Sequence, residues 1–255
     1  MDLGLNGRTA LVTGGSNGIG RAIALGLGAE GANVALTYRS DADAAASAVD
    51  AIDGDAIALP LDLEDTASIE AAVAATVDRF GGIDVLVVNA VRWPTARADR
   101  FEELPPEEWQ SVLRANLEGA FATVRAVLPS MRGRELGRIV MMSSGIAEEG
   151  YPATWPYGAA KAGLHGFART LAWDLGADGI LVNVVGTGFT ATDHNRERFP
   201  QEMRDRVAAA TPQKRLSTPG DVANLVVYLA SAANTSVTGE VIREGTSNAR
   251  TALAA

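Results

Sequence analysis

The sequence predicts a doubly wound α/β fold, a parallel sheet of about seven strands with helices on both faces. Three observations carry that expectation. Short runs rich in Val, Ile and Leu recur along the chain, each too short for a helix and continuously apolar, as strands covered on both faces must be. Longer helical stretches separate these runs, the alternation expected of βαβ units. A glycine-rich turn follows directly on the first run and opens the first helical stretch.

The elements follow in order. The apolar runs are Thr9–Val12, Val34–Tyr38, Ala56–Leu59, Val85–Val88, Ile139–Met142, Ile180–Val185 and a last one near Val241–Ile242. Helical stretches fall between them at about 18–30, 41–52, 66–80, 107–132, 156–176 and 219–231. The Ala-rich segment Asp41–Ala51 reads as a good helix former. Thr211-Pro212 and Thr218-Pro219-Gly220-Asp221 read as helix-boundary signals. The least regular region is Gly186–Pro212, which follows a late strand where ligands meet an open α/β sheet. Long loops of this kind are commonly functional, so residues 187–212 are expected to form a substrate lid. Within it, the run from Phe199 to Arg206 is expected to form a short amphipathic helix, whose arginines could meet an anionic carrier but read equally as a solvated face.

The chain has 255 residues, a length open to one domain or two. No composition break or repeat divides it, so one unit over residues 1–255 is expected. With 47% hydrophobic and 21% charged residues the chain has ample material for a core and none of the bias of a disordered one. The formal charge of −9 argues against a nucleic-acid or anionic-membrane partner, since phosphate binding calls for a basic face. The absence of cysteine excludes disulfides, thiolate metal sites and a cysteine nucleophile, and two histidines make a histidine metal site improbable. No apolar run approaches the roughly 18 residues of a membrane span, and the N-terminus lacks the pattern of a secretory leader. The expectation is a cytoplasmic protein.

The turn Thr13-Gly14-Gly15-Ser16-Asn17-Gly18-Ile19-Gly20 suits a pyrophosphate, because glycines let backbone N–H groups approach an anion at a helix N-terminus. A glycine turn can also serve chain reversal alone, but the strand–turn–helix context favours the phosphate. Downstream, Tyr157 and Lys161 stand four residues apart, which places both on one face of a helix. Such a pair often occurs without function. A neighbouring ammonium would nevertheless stabilise a phenolate and bring the tyrosine toward proton transfer at neutral pH.

These motifs, with their order in the chain, resemble the short-chain dehydrogenase/reductase family. The family's first turn reads T-G-x-x-x-G-x-G, its catalytic pair Y-x-x-x-K, and a catalytic serine closes the fifth strand, where Ser144 stands 13 residues before Tyr157. The resemblance spans Gly7 to Gly245 and implies a Rossmann-like fold. It implies Asn116, Ser144, Tyr157 and Lys161 as catalytic residues. Tyr157 would donate a proton to a carbonyl oxygen, Ser144 would hydrogen-bond that oxygen, Lys161 would lower the tyrosine pKa and bind the nicotinamide ribose, and Asn116 would hold a relay water. It also implies cofactor contacts at Gly14, Ser16, Asn17, Gly18, Ile19, Gly20, Asp62, Leu63, Asn89, Ala90, Tyr157, Lys161 and Thr192, with Thr190 as a weaker candidate. Taken alone, Asp62 could equally be a helix cap. Where NAD-binding folds tend to place an acidic residue after the second strand, this chain has Tyr38-Arg39-Ser40. A guanidinium there suits a 2′-phosphate, so NADP(H) is favoured over a merely solvated arginine.

Four departures mark the chain. The family's N-N-A-G reads Val88-Asn89-Ala90-Val91, so a polar group is lost at Val88 and a branched side chain is added at Val91. The family's P-G reads Thr187-Gly188, which predicts a freer loop. The usual D-G-G reads Glu244-Gly245-Thr246, ahead of a small and polar tail, Ser247–Ala255. Thr211-Pro212-Gln213-Lys214-Arg215-Leu216, leading into Asp221-Val222-Ala223, looks most like 3-oxoacyl-carrier-protein reductases. The resemblance thus implies a ketoreductase acting on a small ketone or acyl thioester, 3-oxoacyl or polyketide-like, in a homo-oligomer, tetramer or dimer. A nucleotide-binding protein without redox turnover, or a non-redox use of the Tyr–Lys pair, remain the alternatives. Among other residues, His165 reads as packing, His194 as a lid residue that could touch substrate, and Trp93, Tyr151 and Trp155 as pocket walls or loop anchors.

Overall fold

The structure, a computed structural model, describes residues 2–96 and 98–245. Seven parallel strands form one sheet in the order β3-β2-β1-β4-β5-β6-β7, with β1 Thr9–Val12, β2 Asn33–Tyr38, β3 Ala56–Pro60, β4 Val85–Val88, β5 Gly137–Ser144, β6 Ile180–Thr187 and β7 Val241–Glu244. The expected fold class is the one observed. Alternate residues of each central strand feed opposite cores. Ala10 and Val12 of β1, with Val85 and Val87 of β4, pack under α1 (Gly18–Ala29), α2 (Ala42–Asp50) and α10 (Pro219–Ala230). Leu11, Leu86 and Val88 face α3 (Thr66–Phe80), α5 (Gly119–Met131) and α7 (Trp155–Leu175). Both faces are covered, which is why the strands carry no polar alternation. Val88 sits in the second core, so the polar group missing there leaves an ordinary apolar contact.

Strand order reverses between β1 and β4, and their carboxyl ends diverge into a crevice there, the place where open α/β sheets take ligands. Helix ends near it are marked by local chemistry. Asp65 accepts a hydrogen bond from the Ala67 N–H at the start of α3, while Gly81, at φ 81°, ends that helix at the far side of the sheet. Thr218 and Asp221 form a reciprocal capping box at α10, in agreement with the boundary read there. At the opposite end of the sheet Asp84 is fully buried and receives the Thr9 N–H at 2.8 Å and two Arg134 donors at 2.7 and 3.0 Å.

Two stretches differ from expectation. The single helix expected over 107–132 is α4 (Pro106–Leu113), a π-helical turn over Arg114–Glu118, and then α5. Within the wide turn the Asn116 amide donates to the Val112 carbonyl at 2.9 Å, the acceptor a regular helix would offer to the Asn116 N–H. The region expected as an irregular lid with one helix over 199–206 holds α8 (Asp193–Arg198) and α9 (Gln201–Ala210). Pro200 divides them, because it lacks an N–H and forces Phe199 into extended backbone. A short helix, α6 (Ile146–Glu149), also follows β5. Thr246 and the tail Ser247–Ala255, singled out in the sequence, lie outside the described residues.

Replacing Asp84 by Ala should leave Arg134 half-paired and the Thr9 N–H without its acceptor. We expect a loss of about 3 kcal/mol in urea unfolding, with the activity per folded molecule unchanged.

Candidate active site

A cleft of about 430 Å³ opens at the carboxyl ends of β1, β2, β4 and β5. Its floor is set by one residue pair. The Thr13 hydroxyl accepts the Asn89 and Ala90 N–H groups at 2.9 and 3.0 Å, and the Asn89 amide donates to the Thr13 and Gly14 carbonyls at 2.9 and 3.0 Å. The glycine turn is thereby fixed against the end of β4. Gly14, at φ +64°, lies so close to Ala90 that a Cβ would stand 2.9 Å from the Ala90 Cα. At Gly20 a Cβ would stand 2.1 Å from the Gly14 carbonyl, so only glycine lets α1 start this tightly on the turn.

Helix α1 begins with Asn17 in extended conformation, without a side-chain cap and without an acidic residue in its first turn. Its leading N–H groups are therefore left to an anion. Gly14, Ser16, Asn17, Ile19 and Gly20 line the cleft beside them, while Gly18 lies just behind, with its φ of +55° and the Thr192 methyl 3.5 Å from where a Cβ would be. Tyr38, Arg39 and Ser40 line the rim at the end of β2, where Arg39 is exposed and ion-paired with no described residue. Asp62, Leu63, Asn89 and Ala90 line the same cleft. The Asp62 carboxylate accepts the Glu64 N–H at 2.9 Å in a local turn, and Asp65 is the residue that caps α3. This uncapped helix start over a glycine cradle fits a dinucleotide pyrophosphate.

Tyr157 and Lys161 project from the start of α7 and are almost wholly buried. Ser144 ends β5, takes the Ile146 N–H at 3.2 Å and hydrogen-bonds the Tyr157 hydroxyl. The Lys161 ammonium donates to the Met142 carbonyl at 2.8 Å and stands 5.8 Å from the centre of the Tyr157 ring. Burial pushes the Tyr157 pKa up, against the opposing hydrogen bond from Ser144, and pushes Lys161 down to about 8. Desolvation dominates at Tyr157, and the group that opposes it is Ser144 rather than Lys161.

Other residues make contacts that the sequence alone did not show. The Asn116 side chain is engaged by Val112 and by both backbone groups of Arg92, at 2.8 Å to the carbonyl and 3.3 Å from the N–H. It holds the chain after β4, and its neighbour Ala115 is the one that lines the cleft. Thr190 is buried and bridged to Ser217, with its hydroxyl turned to the Gly188 carbonyl, which takes it out of the cleft. Thr192 does line the cleft and caps α8. Thr187 does not start a freer loop. Strand β6 runs through it, its hydroxyl meets the Ser143 carbonyl at 3.3 Å, and its own carbonyl takes the Gly145 N–H at 2.9 Å. Val91 is half-exposed on the cleft wall with an ordinary negative φ, so the missing glycine imposes no backbone strain.

His165 packs as expected and its Nε2 lies 2.8 Å from the Ser143 hydroxyl, with burial lowering its pKa. His194 and Trp93 line the cleft, whereas Trp155 packs edge-on against Phe101 instead. Sequence reading missed Thr37, which takes the Gly14 N–H at 3.1 Å and was visible as a lone polar residue in an apolar strand. It also missed Glu108, whose carboxylate holds the Thr95 and Ala96 N–H groups and the Thr95 hydroxyl. Burial works to raise the Glu108 pKa, but these donors together with Arg92 hold it below the usual carboxylate value. Nothing in Pro105-Pro106-Glu107-Glu108-Trp109 distinguishes it from a solvated acid. Among the described residues no acidic and histidine cluster could hold a metal, and no helix is long and apolar enough to cross a membrane.

Comparison with known proteins agrees with this geometry. A family model described as enoyl-(acyl carrier protein) reductase matches residues 14–243. The chain is 37% identical over 240 residues to 3-oxoacyl-[acyl-carrier-protein] reductase FabG of Escherichia coli, covering 94% of this chain and 96% of that one. It is 34% identical over 238 residues to the protein of the same name from Staphylococcus aureus, covering 92% and 95%. A crystal structure of a dehydrogenase/reductase from Sinorhizobium meliloti superposes with a TM-score of 0.82 at 36% identity, covering 95% of each chain. A variant of a Serratia marcescens short-chain dehydrogenase/reductase superposes at 0.87 with 32% identity, covering 94% and 97%. With the glycine turn and the buried Tyr157–Lys161 pair gathered in one cleft, the chain belongs to the short-chain dehydrogenase/reductase family of oxidoreductases.

Proposed function

We propose that this protein is an NADPH-dependent ketoreductase that converts a ketone to a secondary alcohol. The observation that carries the reading is a buried Tyr157 above the Lys161 ammonium, in the same cleft as an uncapped, glycine-cradled helix start. When bound, the nicotinamide cofactor supplies hydride to the carbonyl carbon. The protein supplies the rest. The Tyr157 hydroxyl gives its proton to the carbonyl oxygen, and Ser144 hydrogen-bonds that oxygen as charge develops on it. A raised pKa keeps the phenol protonated through neutral pH, which suits a donor working in the direction of reduction. Lys161 lends positive charge beneath the ring while it is protonated. Arg39, exposed at the rim between Tyr38 and Ser40, supports a cofactor carrying a 2′-phosphate. Names of the relatives support a 3-oxoacyl thioester or another small ketone as substrate. On the same reading residues 1–255 act as one catalytic unit with residues 187–212 as its lid. The half-exposed Phe121, stacked on Phe167, supports a homo-oligomer in which a second copy covers α5 and α7.

Fluorescence titration with NADPH and NADH, followed by absorbance assays with ketones, 3-oxoacyl thioesters and an enoyl thioester control, tests the reading. Oxidation of NADPH by a ketone and not by the enoyl thioester is expected. Binding without oxidation by any ketone would overturn it. Tyr157→Phe should keep NADPH binding within about threefold and lower turnover at least 100-fold. Arg39→Ala should weaken NADPH roughly tenfold or more while leaving NADH nearly unchanged.

Lys161 gives a prediction in pH. Its pKa falls from 10.5 when unfolded to about 8 when folded, so the unfolded chain binds the extra proton between those values. Stability therefore rises with pH across that window. The urea midpoint of the wild type should climb relative to Lys161→Met between pH 8 and 10.5, and stay parallel to it below pH 7.

A further inference from the structure

We propose that Trp93 determines substrate specificity, and that the ketone this protein takes carries a flat, unsaturated ring next to its carbonyl rather than a flexible acyl chain. The proposal rests on the ketoreductase reading and names its substrate class.

The argument begins with the rings. The Trp93 indole lies on Tyr157 with centroids 4.3 Å apart and planes 20° apart, which leaves no space between them. Tyr157 is only 4% exposed, whereas Trp93 is 44% exposed and lines the cleft. One indole face is thus committed to the proton donor, and the rest of the ring forms an open aromatic wall beside it. A ketone whose oxygen reaches the Tyr157 hydroxyl must pass along that wall.

The wall is also fixed. Trp93 and Pro94 sit on a strap held at both ends. Before them, Asn116 binds the N–H and the carbonyl of Arg92. After them, Glu108 binds the N–H groups of Thr95 and Ala96. The main chain cannot withdraw without breaking hydrogen bonds to a buried carboxylate and a buried amide. A rigid, exposed aromatic face selects for a rigid, flat partner, because stacking gains contact without the entropy lost in ordering a flexible chain. Asn116 and Glu108 are positioning residues for Trp93 on this account.

The test uses the intact protein with NADPH and two ketones of one skeleton, flat 1-tetralone and saturated trans-1-decalone. The measured quantity is the ratio of their kcat/KM values in wild type, Trp93→Leu and Trp93→Phe, which cancels their intrinsic reactivities. The ratio should fall roughly tenfold in Trp93→Leu, which keeps bulk but has no π face, and largely survive in Trp93→Phe. Glu108→Gln should lower the ratio in the same direction, with Trp93 still present. An unchanged ratio in Trp93→Leu overturns the proposal, as does a wild type that reduces S-acetoacetyl-N-acetylcysteamine and neither ring ketone. Both outcomes leave the ketoreductase reading intact. If no ketone oxidises NADPH, that reading fails, and equilibrium binding of 1-tetralone to the NADPH complex decides for Trp93. Binding roughly tenfold weaker in Trp93→Leu upholds the proposal, and equal binding overturns it.

Discussion

The reciprocal contact between Thr13 and Asn89 joins the two strands whose divergence creates the cleft. The hydroxyl of one takes two backbone donors from the other's segment, and the amide of that segment returns two bonds to the turn. Four hydrogen bonds at a partly buried strand end are worth several kcal/mol if left unmade, so the turn and the end of β4 move as one piece. That coupling sets the height of α1 over the sheet, through the tight approach of Gly20 to the Gly14 carbonyl. It also sets where the strap after Ala90 departs toward Asn116. Cofactor cradle and substrate wall are in this sense two ends of one constraint.

The departures at Val91 and Thr187 are tolerated because both fall where the physics leaves slack. Val91 has an ordinary backbone conformation and points its side chain into open cleft, so the position needs no glycine here. At Thr187 a proline would interrupt a strand. Threonine lets β6 pair with both neighbours to its last residue and adds a hydroxyl bond to the Ser143 carbonyl. Neither substituted side chain is hydrogen-bonded to the buried Tyr157 or Lys161, although Thr187 is the strand partner of Ser144.

The sheet was legible in the sequence because both of its faces are buried, which writes each strand as a short unbroken apolar run. All seven runs lie within observed strands. The glycine turn and the helix holding Tyr157 and Lys161 were legible because their chemistry needs particular residues at particular spacings. What escaped was set by tertiary contacts. The π turn at Asn116 depends on an amide finding Arg92, 24 residues away, and periodicity over 107–132 cannot register that. The Thr190 side chain was drawn inward by a bridge to Ser217, which no local pattern encodes. Glu108 looked like one acid among several, and its role exists only once Thr95 and Ala96 arrive against it. Pro200, by contrast, was a local signal for splitting the lid helix, and the amphipathic pattern around it obscured that signal.

Burial itself gives the site its chemical direction. Desolvation penalises charge on Tyr157 and on Lys161 alike, so it raises one pKa and lowers the other. Two opposite shifts from one cause move the phenol and the ammonium apart in proton affinity, where in water they are nearly equal. The phenol stays a donor, and the lysine becomes a group that can change charge near neutrality. Trp93 helps maintain this state, because its ring covers the face of Tyr157 that water would otherwise reach. A side chain that selects substrate by shape therefore also tunes the acid it shields, and the strap that positions the one indirectly sets the electrostatics of the other.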